Sequence, residues 1–242
     1  DWSAAFPLGN GSMGAMLFGD PFKEKIYLSE ESIWNGDKIK TDGADFKEKT
    51  RKLREMYLQG ETVFDDWVKE NITKGIYRIK SNEYAGVLTL TFADQAPTEN
   101  YRREIDLING IFSASYQKGP CSVLEEAFCS FAAKALCIRV SSTERIDFQI
   151  EYHRENIRLV TYDDDILTAK CNTQDGGHSF AVGVKAAGNC KAAYQNGRVL
   201  VSDSTSAIIF VSIATEFKIA DSYETVCRDI LKNCPSWNEM LA

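Results

Sequence analysis

Leu88-Thr89-Leu90-Thr91-Phe92 and Ile146-Asp147-Phe148-Gln149-Ile150 decide the fold class. In both, apolar and polar residues alternate, which is the period-2 signature of a strand with one buried face. Working outward, Cys137-Ile138-Arg139-Val140, the run from Ala207 to Ile213, and Lys25-Ile26-Tyr27-Leu28 read as further strands. Asn109-Gly110 and Asn196-Gly197 lie between strand-like runs and favour the positive φ of tight hairpin turns, so neighbouring strands are expected to be antiparallel. Strands in such number without interleaved helices predict an all-β fold, a large antiparallel two-sheet β-sandwich (a super-sandwich) rather than a βαβ fold. The chain shows no internal repeat and no low-complexity tract.

Two stretches break the β pattern. At about 45–73 a short helical insert is expected: Asp45 with Glu48 forms a capping box ahead of Phe46, Leu53 and Tyr57, Gly60 interrupts, and Val63, Phe64, Trp67 and Ile72 mark a second helix. The mixed charges from Lys47 to Glu55 read as its wet face. Near the end, Tyr223, Val226, Cys227, Ile230, Leu231 and Cys234 fall on one helical stripe, with Asp221 and Glu224 as its capping box. Pro235 breaks that helix, and Ser236 with Glu239 signals another. The expected organisation is a sandwich domain over 1–220, followed at 221–242 by the start of a helical linker leading into a missing helical domain. The opening Asp1-Trp2, without an initiator Met or a leader pattern, leaves the compartment open.

The 242 residues are 44% hydrophobic, enough for a substantial core. With 28 basic against 35 acidic residues the net charge is −7, which disfavours a nucleic-acid partner. The longest apolar run, around Ala207-Ile208-Ile209-Phe210-Val211, falls far short of the roughly 18 residues of a membrane-spanning helix, so no membrane partner is expected. Seven cysteines, an odd count without a C-x-x-C pair, indicate neither a disulfide framework nor a zinc ribbon. They read as small buried hydrophobes and lean slightly toward a cytoplasmic protein.

Several motifs invite a chemical reading. Gly9-Asn10-Gly11-Ser12-Met13-Gly14 matches G-x-G-x-x-G, with Glu30 about 20 residues on, but a dinucleotide fingerprint must follow a strand and open a long helix. Here Pro7 precedes it and a short strand ending at Pro21 follows, so a flexible turn is expected and no cofactor. His153 and His178 are the two histidines; one ends a strand and the other follows Gly176-Gly177, so neither marks a metal site or a triad. Asp163-Asp164-Asp165 lacks the spaced ligands of a Ca²⁺ loop and reads as a solvated turn. Glu30-Glu31, Asp65-Asp66 and Glu125-Glu126 are acid pairs, but adjacent strand residues point to opposite faces, so Glu125 and Glu126 cannot flank one glycosidic bond. Trp34-Asn35-Gly36-Asp37 offers an aromatic face beside amide and carboxylate groups, which could stack on and hydrogen-bond a pyranose or could plug the sandwich end.

Trp2 through Phe18, Ile26 through Gly36, Gly86 through Phe92 and Tyr101 through Gly110, with a looser match over Ala127-Phe128-Cys129-Ser130, resemble the N-terminal domain of glycoside hydrolase family 95, whose best-known members are α-L-fucosidases. The resemblance spans about the first 150 residues. It implies a β-sandwich that precedes a helical linker and a catalytic α/α toroid carrying the acid and the water-positioning groups, with no catalytic residue, metal or cofactor on this chain. The partners it implies are that absent α/α domain and a fucosylated oligosaccharide. Its site residues fall in two loops: Asn10 and Ser12 in the glycine turn, Trp34 and Asn35 after the second strand. Ser12 and Glu125 stand where relatives often carry Arg, which shortens the reach of the first loop and leaves other L-sugar linkages, such as an α-L-galactoside, open. The alternatives are a carbohydrate-binding module using Trp34 and a purely structural interdomain module.

Overall fold

The computed structural model describes residues 2–35, 45–61, 64–72, 81–174 and 177–241, with backbone only at Phe64 and Asp221. Gly36 and Asp37 of the Trp34 loop, Val63, residue 73 of the helical insert, Gly176 and the Asp221 side chain lie outside the described residues. Along the chain come β1 (Phe6–Gly9), β2 (Met13–Leu17), β3 (Lys23–Trp34), α1 (Phe46–Leu58), α2 (Phe64–Asn71), β4 (Asn82–Phe92), β5 (Glu99–Asp106), β6 (Ile111–Lys118), β7 (Cys121–Ser130) and β8 (Ala135–His153). Then follow β9 (Ile157–Asp163), β10 (Ile166–Asn172), β11 (Ser179–Gln195), β12 (Arg198–Thr215), α3 (Glu216–Ile219), α4 (Tyr223–Lys232) and α5 (Trp237–Leu241). The strands pair antiparallel in the order β1-β2-β3-β4-β8-β12-β11-β10-β9, with β5-β6-β7 joining at β8, and no barrel closes.

Two long strands make two sheets from one hydrogen-bonded network. The first part of β8 pairs with β7, from Ser130↔Ala135 to Val123↔Ser142, and its last part pairs with β4, from Phe92↔Phe148 to Val87↔His153. β12 runs beside both parts, slipping register between Val201 and Ser204 and again before Ser206, with Asp203 at φ 59°. Bulges of this kind bend a strand and raise its twist, so β8 and β12 leave one sheet and enter the other. Cys137–Val140 and Ile146–Ile150, read from sequence as separate strands, are one strand whose polar middle, Ser141–Arg145, crosses the solvent-facing corner. Between the sheets lie Leu17, Ile26, Leu28, Leu88, Leu90, Phe112, Ile138 and Ile150, all essentially inaccessible. Each contributes on the order of 1.5–3 kcal/mol by leaving water.

The turns follow the sequence in part. Asn196 (φ 52°) and Gly197 (φ 82°) close the two-residue β11–β12 hairpin with Gln195 opposite Arg198, as their positive-φ preference requires. Asn109-Gly110 instead ends a four-residue loop, because the Asp106 carboxylate accepts the Ile108 and Asn109 amides and holds the loop open. Asp164 and Asp165 (φ 53° and 58°) form the tight β9–β10 turn, and Arg228 and Lys232 of α4 bind it through Asp163 and Asp164. The triplet is therefore an ion-paired anchor for α4 rather than a purely solvated turn.

The helices also depart from simple periodicity. α1 has no buried residue: Tyr57 is exposed and Asp45 bonds Lys49 rather than a helix amide, so the expected capping box does not form. α4 packs on β11 and β12 through Tyr223, Cys227 and Leu231, as its stripe demands. A Cβ at Gly183 of β11 would lie 2.6 Å from Leu231 Cδ1 and 3.0 Å from Cys227 Sγ, so the missing side chain sets how closely the helix approaches. Glu224 reaches Lys170 of β10 (2.5 Å) instead of capping. At α5, Glu239 accepts both the amide (2.8 Å) and hydroxyl (2.6 Å) of Ser236, and Trp237 packs edge-on against Phe128. All seven cysteines are free thiols, four of them buried and three half-buried.

Two carboxyls lie inside the sandwich. Glu24 on β3 accepts the Phe18 (2.7 Å) and Asp20 (2.6 Å) amides, and burial, opposed by those amides, pushes its pKa up to about 7. Glu125 on β7 is wholly buried with neither oxygen hydrogen-bonded among the described residues, and burial followed by repulsion from Glu24 raises its pKa well above the carboxylate range. Glu126 points the other way, to Arg139, as the strand alternation requires.

Candidate functional site

The glycine turn is the β1–β2 hairpin loop. Asn10 Oδ1 accepts the Ser12 (3.0 Å) and Met13 (2.9 Å) amides, while its Nδ2 donates to the Ser130 carbonyl at the end of β7 (2.9 Å). Gly11 sits at φ 88°, a conformation that a side chain would strain. Asn10 therefore shapes the loop and ties it to the second sheet; both its polar ends are occupied. No helix follows the turn, so the dinucleotide reading fails on geometry as it did on sequence.

Ser12 presents its hydroxyl to a charged network that the sequence reading missed. Lys218, on α3 and 206 positions away, donates to Ser12 Oγ (2.8 Å), Glu30 Oε1 (2.6 Å) and Glu31 Oε1 (2.7 Å). Ser12 Oγ in turn donates to Glu30 Oε1 (3.3 Å). Glu30 is buried, and its other oxygen accepts the Ser32 amide (2.8 Å) and hydroxyl (2.6 Å); Ser32 Oγ lies 2.6 Å from Thr215 Oγ1. Burial opposes the Lys218 ammonium, but the two glutamates outweigh it and hold its pKa above the ordinary lysine value. Ser12 thus accepts from the Lys218 ammonium and donates to the Glu30 oxygen that the same ammonium already holds, so its hydroxyl closes a three-membered charged network. Glu30 and Glu31 face one ammonium, so they do not form the opposed acid and nucleophile of a glycosidase.

A pocket of about 280 Å³ opens beside this network, with Asn10, Ser12 and Lys218 on one side and Phe131, Val226 and Ile230 on the other. It gathers the first pair of expected site residues but not the second. β3 runs as far as Trp34, which is 43% exposed and donates its indole N–H to the Glu31 carbonyl (2.7 Å). The Asn35 amide donates to Ser81 (2.9 Å). Both lie at the far end of the β3–β4 pair, where Trp34 is opposite Asn82, outside the pocket lining. One signal for Glu30 was legible: it shares the inward parity of Ile26 and Leu28 on β3, where a charged residue needs a buried partner. Nothing local could have named Lys218 as that partner.

The long-stranded antiparallel sandwich thus carries C-terminal helices on one face with a braced loop pocket beside them. A solved chain provisionally assigned as a kojibiose phosphorylase from the human microbiome superposes over 99% of this chain and 34% of its own length, with a TM-score of 0.55 and 11% identity. The chain belongs to the family described as "Glycosyl hydrolase family 65, N-terminal domain", whose profile matches residues 1–220. "Probable alpha-fucosidase A" of Aspergillus oryzae is 22% identical over 228 residues, covering 88% of this chain and 31% of that protein. "Probable alpha-fucosidase A" of Aspergillus niger is 30% identical over 162 residues, covering 64% and 20%, and "Alpha-L-fucosidase 2" of Arabidopsis thaliana is 23% identical over 168 residues, covering 64% and 19%. The chain thus spans a fifth to a third of the length of these relatives. The resemblance to family 95 stands at a coarser level, as an N-terminal sandwich related to sugar hydrolases of the family 65 and 95 type. Among the described residues no helix is long and apolar enough to cross a membrane.

Proposed function

We propose that this chain is the non-catalytic N-terminal module of a glycosidase of the family 95 α-L-fucosidase kind, docking on a catalytic α/α domain and lending the Asn10–Ser12 loop to the rim of its sugar pocket. The parent reaction would be hydrolysis of terminal α-L-fucosyl linkages. The observation that carries the docking reading is an apolar end surface. Ile108 is 93% exposed and Phe131 79% exposed, on the β5–β6 and β7–β8 turns, and both turns lie at the end of the second sheet where Asn10 binds Ser130. Neither turn is loose. Asp106 accepts the Ile108 amide (2.9 Å), and Ser130 Oγ accepts the Ala133 amide (3.1 Å), so the chain invests polar groups in presenting apolar side chains to the outside. The fucosidase names of the curated relatives supply the substrate class.

The test is turnover of an aryl α-L-fucoside by the 242-residue chain and by the longer polypeptide that this reading implies. The chain alone is expected to be silent and the longer protein active, with Ile108→Asp destabilising the longer protein and leaving the isolated chain's melting temperature unchanged. Turnover by the isolated chain would overturn the non-catalytic reading, and an equal effect of Ile108→Asp on both would overturn the docking surface.

A further inference from the structure

Asparagine followed by glycine is the dipeptide most prone to lose ammonia, because glycine puts no side chain in the way of its own nitrogen. This chain has four such pairs, at Asn10, Asn35, Asn109 and Asn196. Gly36 lies outside the described residues, and the fold treats the other three pairs unequally. We propose that Asn196, at the tip of the β11–β12 hairpin, is a site of spontaneous covalent modification that converts it to aspartate and isoaspartate. Water is its only co-reactant, and the inference stands whether or not the chain docks on a catalytic domain.

Two of the pairs are locked. Asn10 would have to give up three bonds before its side-chain carbon could be attacked: Oδ1 accepts the Ser12 and Met13 amides, and Nδ2 donates to the Ser130 carbonyl. At Asn109 the nucleophile itself is spent, since the Gly110 amide donates to the Asp106 carbonyl (2.8 Å), and the side-chain Nδ2 donates to Asp106 Oδ2 (2.6 Å). Asn196 is held by nothing comparable. Its exposed side chain and the Gly197 amide have no hydrogen-bond partner among the described residues. Gln195, Asn196 and Gly197 all lie on the surface, with open space where a Gly197 Cβ would be. Closing a ring takes Asn196 out of its left-handed conformation at φ 52°. Such a local opening costs little at an exposed hairpin end and much where side-chain bonds must break first.

The chemistry balances with water alone. The Gly197 amide gives its proton to hydroxide, and its nitrogen attacks Asn196 Cγ. The bond from Cγ to the side-chain nitrogen breaks, that nitrogen takes a proton from water and leaves as ammonia, and a cyclic imide remains. Water then adds to one of the two imide carbonyls. Cleavage of the bond from Cγ to the Gly197 nitrogen gives aspartate on a normal backbone, whereas cleavage at the Asn196 backbone carbonyl gives isoaspartate, with the chain routed through the former side chain. Either product adds a negative charge to a chain already at −7. Isoaspartate also lengthens a two-residue turn that places Gln195 opposite Arg198, just before the buried Val199 and Val201 of β12. It therefore strains the register that positive φ at both turn residues sets.

The test is incubation of the 242-residue chain at pH 8 and 37 °C, folded and in urea, followed by trypsin digestion and chromatography with mass detection. The three pairs fall on separate tryptic peptides, Asp1–Lys23, Glu104–Lys118 and Ala192–Arg198. In the folded chain Asn196 is expected to convert about tenfold faster than Asn10 or Asn109, the equivalent of one or two hydrogen bonds. The isoaspartate product should accept a methyl group from S-adenosylmethionine through an isoaspartyl carboxyl methyltransferase. In urea, where no fold protects any pair, the three rates should converge. Asn196→Gln, whose longer side chain closes an imide far more slowly, should leave the Ala192–Arg198 peptide unmodified and hold its melting temperature on ageing while that of the wild type falls. Equal rates at the three pairs in the folded chain overturn the proposal. So does a folded Asn196 that stays intact over a period in which the unfolded chain converts, or an equal fall in melting temperature of the aged wild type and the aged variant.

Discussion

Raising the pH should weaken this fold through the two carboxyls inside the sandwich, and Glu125→Gln should remove much of the effect. Glu24 has an unfolded pKa near 4.5 and a folded one near 7, so between those values the folded chain holds a proton that the unfolded chain has lost. Stability is then greatest below the unfolded pKa, falls as pH rises toward the folded pKa, and levels off above it. At 1.36 kcal/mol per unit, Glu24 alone lowers the unfolding free energy by about 3 kcal/mol between pH 4 and pH 8, a large fraction of the 5–15 kcal/mol typical of a domain. Glu125, raised by burial first and by Glu24 second, adds a loss of the same sign. The Gln variant keeps the shape, cannot ionise, and relieves Glu24 of a neighbouring charge. The assay is urea unfolding followed by tryptophan fluorescence at pH 5, 6, 7 and 8. The expected outcome is a wild-type midpoint that falls across the series and a Glu125→Gln midpoint that falls less, the two meeting at pH 5 and the variant more stable at pH 8. A wild-type stability that is flat or rises from pH 5 to 7, or parallel slopes in the two proteins, would refute the reasoning.

Three further outcomes follow from particular contacts. Lys218→Ala strands the buried Glu30 carboxylate and is expected to cost about 2 kcal/mol in urea unfolding, the low side for a broken buried pair because Lys218 is itself one-third exposed; Lys218→Arg should recover most of it. Gly183→Ala places a Cβ 2.6 Å from Leu231 Cδ1 and should lift α4, so that the buried Cys227 reacts with a thiol reagent in the native state at least tenfold faster than in the wild type. Gly197→Ala, at φ 82° with open space around it, should lose about 1 kcal/mol of stability through backbone strain alone, read in urea unfolding.

Much of the architecture was legible because alternation is a local property. Leu88–Phe92 and Ile146–Ile150 declare one buried face each, and Asn196-Gly197 declares its turn, without reference to anything distant in the chain. The α4 stripe named the residues that pack, and Ser236 with Glu239 named the start of α5. Capping at Asp45 failed because Lys49 offered the carboxylate a charged partner, and capping by Glu224 failed because Lys170 of the neighbouring strand did the same. Propensity cannot see such rivals.

The sequence by itself determined that the chain forms antiparallel strands in two faces, that the glycine turn is not a phosphate loop, and that Glu125 and Glu126 point apart, since each rests on residues within a few positions of one another. Only the tertiary structure decided the rest. It made one bent strand of Cys137–Val140 and Ile146–Ile150, brought Lys218 across 206 positions to Ser12 and Glu30, and set Glu24 against Glu125. These are long-range pairings of charge and register, and their energy exists only once strands far apart in the chain have closed on one another.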